Sequence, residues 1–498
     1  MRILLTGLLL LGAAAPPPFT DAELGKRLAP ALPPEGLTET VVGEAGKKAD
    51  AWLAERAKAG FSGVVLAARD GKLVLAKGYG LADREAGTPF RVDSVVSIGS
   101  VTKQFTAAAI LKLEQDGKLS VQDAIAKFYP DAPADKRGIT LHQLLTHTAG
   151  LESDFAGDYD PVDRDAYVGR ILASKLRTTP GTTHFYANSG YSLLAAVVEK
   201  ASGMPYETYL REKLFLPAGM KETGYKQPTW PPARVAVGYK GKDRWGTILE
   251  KTWLPDGPGW ALRGNGGIHT TLADMVRWER VLEGDGGLLS AASRKKLFTA
   301  WTPEGPGAES FYGYGWAIFT TPRGGRLIAH DGGNGIFSFD FRRYLDDGLL
   351  VLTFGNASDS KAFRLSEDVA RITLGMPPRP GAAETAAAAG PIDWTAPGMA
   401  RVKGFFDAFN SGDVAAMRAF REANWARTAE TPPEDERDRR YKEKRANTGK
   451  VTPVGQLAYS DREVTLLVKT ESGDTARSTF GFAGEDKKLA SLRIEAGD

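Results

Sequence analysis

Apolar and polar residues alternate along the chain in patterns that predict strands at both ends of a large region and helices between them. Two apolar runs, from Phe61 to Ala68 and from Leu73 to Tyr79, flank Asp70-Gly71, a dipeptide that strongly predicts a β-hairpin. Further apolar runs lie at residues 313–319, 327–330, 336–342 and 349–353. Strands at the start and end of one region predict a single antiparallel sheet closed by both of its ends.

The helical spacing of apolar residues predicts helices over residues 41–59, 141–145, 193–200 and 272–282. A longer, mostly apolar helix begins within Ser97-Ile98-Gly99-Ser100-Val101-Thr102-Lys103, and Gly117 is its predicted end. Ser100 and Lys103 are three residues apart, so both side chains can face one small volume. Residues 225–265 are rich in Gly, Pro and Trp and predict loops.

The composition changes along the chain and predicts its domain organisation. Residues 1–15 have a positive start, a short apolar core and small residues after it, which predicts a cleaved secretory signal peptide; the alternatives are an uncleaved anchor and a wrongly assigned first residue. Residues 16–36 are proline-rich and are expected to form a loose leader. A main domain is predicted at residues 37–376, a linker at 377–391 and a small α+β domain at 392–498.

Composition and charge exclude several kinds of function. The chain has 498 residues, 42% of them apolar and 25% charged, as is typical of a soluble globular protein. The net charge of +3 is small, and the densest charged run, Glu434 to Arg445, mixes both signs, so no nucleic-acid partner is expected. The absence of cysteine excludes thiolate chemistry, and five scattered histidines without His-Glu-x-x-His predict no metal site. We expect no cofactor.

The first candidate for catalysis is Ser100 with Lys103. A serine hydroxyl needs a base to remove its proton, and an amine in an apolar pocket loses its own proton readily enough to act as one. The spacing alone is weak evidence, because Ser293–Lys296 and Ser358–Lys361 repeat it. Only Ser100 opens a long apolar helix; a simple helix-capping serine is the alternative.

The second candidate is Tyr186-Ala187-Asn188, which follows the turn signal Pro180-Gly181. A phenol beside a lysine can carry a proton between the serine and a leaving group, and an asparagine offers a donor and an acceptor to a substrate amide. A tyrosine packed in a loop, with the asparagine capping a helix, is the alternative. Tyr186 and Asn188 therefore predict catalysis only in combination with the other candidate residues.

The third candidate is His330-Asp331-Gly332-Gly333, at the end of an apolar strand. A strand edge beside the nucleophile can donate a backbone amide to a developing oxyanion, and glycines allow the close approach that this requires. A histidine leading into a glycine turn is the alternative.

The order of these motifs resembles that of the serine β-lactamase-related hydrolases, especially the class C branch with its β-lactamases, D-alanyl-D-alanine carboxypeptidases, family VIII esterases and D-amino-acid peptidases. Leu144–Leu151, and Gly264–Thr271 with Asp274, resemble two further segments of that family. The resemblance runs from Phe61 to Ala357. It implies an α/β fold of the α+β type, with an antiparallel sheet flanked by helices plus an all-helical subdomain (β-lactamase/transpeptidase-like), before the small C-terminal domain.

The resemblance also implies roles for the candidate residues. Ser100 would be the nucleophile that forms an acyl-enzyme, and Lys103 and Tyr186 would share the role of base, without a decision on which removes the proton. Asn188 would orient the substrate. The backbone amides of Ser100 and Gly333 would form the oxyanion hole.

In the third motif, His330 and Gly332 would contact the substrate, and His330 would replace the lysine of class C β-lactamases. A neutral histidine attracts an antibiotic carboxylate less than a fixed ammonium does, and Asp331 beside it adds negative charge. These departures favour an esterase or peptidase over a β-lactamase. His147 and His269 are interpreted as structural.

Together these observations predict an exported, periplasmic or secreted serine hydrolase acting on small esters, amides or D-amino-acid peptides. The alternatives are a class C-like β-lactamase and a penicillin- or muropeptide-binding protein without turnover. The expected partner is a small-molecule or peptide substrate, with a β-lactam among the candidates, and no stable membrane anchor is expected after signal cleavage. Phe405–Asp413 loosely resembles nuclear-transport-factor-2-like domains, which implies a packing or substrate-gating role, or a ligand-binding module.

Overall fold

The computed structural model describes residues 16–33, 36–305, 308, 310–321, 323–358, 362–379, 385, 387–426 and 434–496. The described residues form two compact units, the first including residues 16–304 and 310–378 and the second including residues 379–496. The predicted signal peptide at residues 1–15 and part of the predicted linker lie outside the described residues, and both stay predictions. Within the described ranges, no helix is both long enough and apolar enough to cross a lipid bilayer.

The first unit is built on a nine-stranded antiparallel sheet. Its strands lie in the order Thr40–Val41, Lys72–Tyr79, Gly63–Arg69, Leu349–Gly355, Ser338–Tyr344, Arg326–Gly333, Ala317–Thr320, Ser310–Tyr312 and Thr302–Pro303. Leu349–Gly355 pairs with Gly63–Arg69, so strands from both ends of the unit are neighbours, which confirms the predicted sheet. The hairpin turn holds Asp70 at φ 50° and Gly71 at φ 69°, as an Asp-Gly turn of this kind requires.

Helices cover both faces of this sheet. They are Asp21–Leu24, Gly43–Lys58, Thr102–Gln115, Leu141–Leu145, Arg164–Ala173, Asn188–Ser202, Tyr206–Leu210, Leu272–Glu283, Ala291–Phe298 and Ala362–Thr373. Short 3-10 or π turns are Gly99–Val101, Ile125–Lys127, Arg211–Phe215, Pro232–Arg234, Ile248–Glu250 and Asp285–Gly287. Three two-stranded ribbons pair Leu81–Asp83 with Thr88–Pro89, Val96–Ser97 with His269–Thr270, and Gly238–Lys240 with Asp243–Gly246.

The two sheet faces build two hydrophobic cores. Val65 and Ala67 face a smaller core that is closed by Gly43–Lys58 and Ala362–Thr373, the helices from the two ends of the unit. Val64 and Leu66 face the larger core, which contains the Thr102–Gln115 helix, called here the serine helix. The described fold is the predicted mixture of an antiparallel sheet, flanking helices and a helical part.

The serine helix is the most deeply buried helix of the larger core. Its residues from Thr102 to Leu111 are all buried, and Phe105 packs edge-on to Phe215 at 5.0 Å and against Trp278 at 4.8 Å. Burial on every side is what its mostly apolar sequence predicts. A helix held in this way has a fixed N-terminus, which matters because Ser100 and Lys103 lie there.

Several elements differ from the sequence prediction. Helices at Arg164–Ala173, Ala291–Phe298 and Ala362–Thr373 were not predicted, and the strand predicted at residues 313–319 begins only at Ala317. Arg164–Ala173 buries only Tyr167, Val168 and Ile171, a stripe too narrow to mark a helix in sequence.

The expectation of a loose leader at residues 16–36 is wrong. Phe19, Leu24 and Leu28 are buried in the larger core. The carboxylate of Glu283 accepts hydrogen bonds from the backbone amides of Leu28 and Ala29 at 2.6 and 2.7 Å. Proline-rich composition indicates little regular structure, but here three spaced apolar side chains are buried in the core and two backbone amides are bonded to Glu283.

The second unit contains three described helices and a four-stranded antiparallel sheet. The helices are Met399–Ser411, Val414–Asn424 and Glu434–Thr448, and the strands are Val451–Tyr459, Glu463–Thr470, Thr475–Ala483 and Lys488–Ala496. Its core contains Phe405, Phe406, Phe409 and Phe480. The predicted helix–turn–helix and two of the strands are present, whereas the first and last strands were missed. The resemblance to nuclear-transport-factor-2-like domains stays a prediction.

Packing of the leader can be tested with Leu28→Ala. Leu28 is fully buried, so truncation should lower the free energy of unfolding by ~2–5 kcal/mol, the usual effect of removing a buried leucine side chain. Leu32→Ala, at a partly buried position of the same segment, is the matched control and should cost less. Equal denaturation midpoints for Leu28→Ala and the wild type would show that the leader is loose after all.

Candidate active site

Ser100 lies in the 3-10 turn Gly99–Val101 that leads into the serine helix. The turn is anchored by Ile98, whose amide donates to the carbonyl of Ile268 at 3.0 Å. Gly99 has φ 48°, and a side-chain carbon there would lie 2.4 Å from the backbone nitrogen of Gly333. Glycine is therefore required at this position, and the strand that carries the third motif passes directly beside the Ser100 turn.

Lys103 is completely buried one helical turn after Ser100. Its Nζ donates to Ser100 Oγ at 3.2 Å, to Asn188 Oδ1 at 2.8 Å and to the backbone oxygen of Asn265 at 2.9 Å. Burial lowers the pKa of Lys103 to about 7, because the low-dielectric surroundings penalise the ammonium. Near neutral pH this amine is therefore partly unprotonated and can accept a proton.

Tyr186 packs over the same amine. Lys103 Nζ lies 4.7 Å from the centre of the Tyr186 ring. Burial raises the pKa of Tyr186 well above its usual value, and the neighbouring Ser100 hydroxyl opposes that rise. The phenol therefore keeps its proton at neutral pH, beside both Ser100 and Lys103.

Asn188 is the first residue of the Asn188–Ser202 helix, which begins five residues before the predicted start at 193. The sequence did not predict this first part of the helix because Ser189 and Ser192 are buried but polar, so they interrupt the helical spacing of apolar residues. Asn188 Oδ1 accepts from Lys103, and Nδ2 donates to Asp154 Oδ2 at 3.4 Å. The side chain is thus at the site, with its oxygen engaged by the lysine.

His330 lies on the Arg326–Gly333 strand and is buried beside Tyr186, with the two ring centres 6.4 Å apart. Nδ1 lies 2.6 Å from the Asp331 carbonyl oxygen, which can only accept, so Nδ1 carries the proton. Nε2 then accepts from the Tyr312 hydroxyl at 2.9 Å. Burial, with Lys103 nearby, lowers the pKa of His330 to about 3, so the third motif supplies no positive charge.

Gly332 and Gly333 bring the third strand against the Ser100 turn. A side-chain carbon at Gly332 would lie 2.0 Å from the Ile98 carbonyl oxygen and 2.7 Å from the Ser100 backbone nitrogen. Only a residue without a side chain fits there. The two backbone amides predicted for the oxyanion hole, of Ser100 and Gly333, are therefore carried by directly adjacent segments.

Sequence reasoning missed two residues that hold the site together. Asn265 contributes its backbone oxygen to Lys103, and its Nδ2 donates to Ser192 Oγ at 2.9 Å and to the Ala261 carbonyl at 2.8 Å. The glycine-rich segment around Asn265 was noted only as a family likeness. Tyr312, the partner of His330, was missed because it lies just before residues 313–319, the apolar run that was predicted to form a strand.

Three carboxylates act electrostatically on the buried amine. Asp154, Asp158 and Asp331 each act to raise the pKa of Lys103, against the larger effect of burial. Burial raises the pKa of Asp158 and of Asp331 as well.

The two histidines interpreted as structural occupy different surroundings. His269 is buried, with its ring centre 5.5 Å from that of Trp230 and 6.3 Å from that of Trp253. His147 is buried with its ring centre 4.2 Å from that of Tyr186. Of these two histidines, only His147 packs its ring against a residue of the candidate site.

A serine beside a buried lysine and tyrosine, at the junction of an antiparallel sheet and a helical part, defines a serine hydrolase of β-lactamase/transpeptidase-like fold. A family model described as beta-lactamase matches residues 49–374. The chain belongs to this family, and it is a serine hydrolase.

Known proteins agree with that assignment. The chain is 31% identical to penicillin-binding protein 4* of Bacillus subtilis, over 61% of this chain and 70% of that protein. It is 28% identical to the D-alanyl-D-alanine-carboxypeptidase/endopeptidase AmpH of Escherichia coli, over 56% of this chain and 75% of that protein. The octameric penicillin-binding protein homologue from Pyrococcus abyssi shares the fold, with a TM-score of 0.58 at 20% identity, over 90% of this chain and 99% of that chain.

The close approach of the third strand can be tested with Gly332→Ala. The added carbon must push the strand away from Ile98 and Ser100, and we expect kcat/KM for any substrate to fall by about 100-fold, the scale of a 1 Å misplacement. Gly169→Ala, where a side-chain carbon meets nothing within 4 Å, is the control. Wild-type kinetics in a folded Gly332→Ala protein would contradict the packing described here.

Proposed function

We propose that the chain is an exported serine hydrolase that acts through an acyl-enzyme on small esters, amides or D-amino-acid peptides. The observation that carries the proposal is the contact between Lys103 Nζ and Ser100 Oγ at 3.2 Å, with the lysine pKa lowered to about 7 by burial. An amine that is partly neutral can take the serine proton as the oxygen attacks a carbonyl carbon.

The opposite pKa shifts of the two candidate bases support one route for the proton. The pKa of Lys103 falls and that of Tyr186 rises, so Lys103 accepts the Ser100 proton and the Tyr186 phenol donates one to the leaving group. Lys103 then restores the proton of Tyr186. The backbone amides of Ser100 and Gly333 stabilise the oxyanion, and water releases the acyl group from Ser100 in the second half of the reaction.

The charges at the site bear on the choice of substrate. His330 is neutral, and the charges of Asp154, Asp158 and Asp331 act to raise the pKa of Lys103. A substrate carboxylate, as in penicillins, cephalosporins or a terminal D-Ala-D-Ala, meets no fixed cation from the third motif. Uncharged esters and amides, or D-amino-acid amides with a free ammonium, suit this potential better.

Relatives and sequence support other parts of the proposal. The name of AmpH describes a carboxypeptidase and endopeptidase, which supports peptide or amide chemistry for this chain. The first residues, with their positive start, short apolar run and small residues, support export through a cleaved signal peptide.

The central experiment compares the wild type with Ser100→Ala on four substrates: a short p-nitrophenyl ester, D-alanine p-nitroanilide, a D-Ala-D-Ala peptide and a chromogenic cephalosporin. We expect the wild type to favour the ester and the anilide, and Ser100→Ala to lose turnover of all four. Ser293→Ala is the matched control, since Lys296 of that second Ser-x-x-Lys is partly exposed and paired with Glu114 at 2.7 Å.

Each outcome of this comparison has a meaning. Equal rates for the wild type and Ser100→Ala on every substrate would refute the Ser100 mechanism. Labelling of Ser100 by a penicillin without turnover of any substrate would identify a binding protein instead. A cephalosporin rate above the ester rate would favour the class C-like β-lactamase.

The pH dependence of the reaction tests the role of Lys103. Because the neutral amine is the active form, kcat/KM should rise with pH through about 7, as Lys103 loses its proton. Asp154→Asn removes a carboxylate that stabilises the ammonium, so the pKa of Lys103 should fall and the rise should move to lower pH. Asp160→Asn, in the same loop, is the control. A rise that stays in place in Asp154→Asn would argue against Lys103 as the titrating base.

A further inference from the structure

We propose that His147 is a positioning residue that holds Tyr186 and Asn188 in place for catalysis; this inference rests on the proposed function. His147 follows the Leu141–Leu145 helix, is 2% exposed and has φ 58°. A side-chain-bearing residue adopts this left-handed backbone rarely, and the conformation persists only where the surroundings enforce it. At His147, the surroundings that enforce this conformation are the residues of the second motif around Tyr186.

The backbone on both sides of Tyr186 is hydrogen-bonded to His147. The amide of Phe185 donates to the His147 carbonyl oxygen at 2.8 Å. The amide of Ala187 donates to His147 Nδ1 at 3.1 Å. One residue therefore fixes the chain immediately before and immediately after the tyrosine, and Asn188 follows at the next position.

The His147 ring also supports the tyrosine side chain. Its centre lies 4.2 Å from that of Tyr186, with the planes tilted by 34°. The same ring lies 4.7 Å from Tyr312, whose hydroxyl binds His330. His147 thus packs between the second motif and the partner of the third.

Acceptance of the Ala187 amide requires an unprotonated Nδ1. Burial lowers the pKa of His147 well below its usual value, and His184, Lys103 and His330 nearby oppose a positive charge on it. The ring is therefore neutral, with its proton on Nε2 and Nδ1 free to accept. The hydrogen bond from Ala187 needs an acceptor at the Nδ1 position. A residue that only filled the space would not need one, so this requirement distinguishes a positioning role from a packing role.

The test compares His147→Gly with His147→Asn in the full chain. Glycine and asparagine both tolerate a positive φ, but only asparagine offers an oxygen close to where Nδ1 lies. With the p-nitrophenyl ester, we expect His147→Gly to lower kcat by about tenfold or more, since Tyr186 is misplaced, with little change in KM. His147→Asn should restore most of the wild-type kcat.

A matched control is His269→Asn, which alters an equally buried histidine away from Tyr186 and should lower the thermal midpoint without lowering kcat. The inference is overturned if His147→Gly folds with wild-type kcat, or if His147→Asn loses as much kcat as His147→Gly. Should His147→Gly not fold, the folded His147→Asn variant decides the question alone: a kcat close to that of the wild type supports the inference, and a loss of about tenfold overturns it. Unchanged activity in Ser100→Ala would instead overturn the proposed function.

Discussion

The burial of one amine is the constraint on which the site depends. An ammonium taken out of water must find acceptors or lose its proton, and Lys103 meets oxygens from Ser100, Asn188 and Asn265. These residues belong to the turn before the serine helix, to a second helix and to a glycine-rich loop. The three segments must therefore stay in register for the lysine to be both buried and reactive.

The sheet supplies the other half of this geometry. The Arg326–Gly333 strand is paired on both sides, with Ala317–Thr320 and with Ser338–Tyr344, so its register is fixed. Because a side-chain carbon at Gly99 or Gly332 would collide with backbone atoms, the strand and the serine turn can approach only at glycines. The position of the Gly333 amide thus follows from strand pairing and from the absence of side chains, rather than from any local interaction at the serine.

Sequence patterns predicted the elements that carry periodic or turn signals. The Asp70-Gly71 hairpin and the closure of the sheet by both ends of the unit are of this kind. Spacing alone could not separate Lys103 from Lys296, because both follow a serine by three residues. The long apolar helix after Ser100 separated them, because it predicted that Lys103 is buried, whereas Lys296 is partly exposed. The sequence could not predict the role of Asn265, because Asn265 binds Lys103 through its backbone oxygen, which every residue type carries. The docking of the leader depends on a groove formed by distant segments.

The carboxylates that act on the base also underlie the substrate preference proposed above. Burial lowers the pKa of Lys103, and Asp154, Asp158 and Asp331 raise it. A lysine in place of His330 would add a cation close to this amine, lowering its pKa further while attracting substrate carboxylates. A neutral His330 avoids that repulsion, so the carboxylates oppose the effect of burial and hold the pKa of the amine near neutrality. A base balanced in this way depends on burial and on acidic neighbours together, and the proposed preference for uncharged or cationic substrates rests on the same three carboxylates.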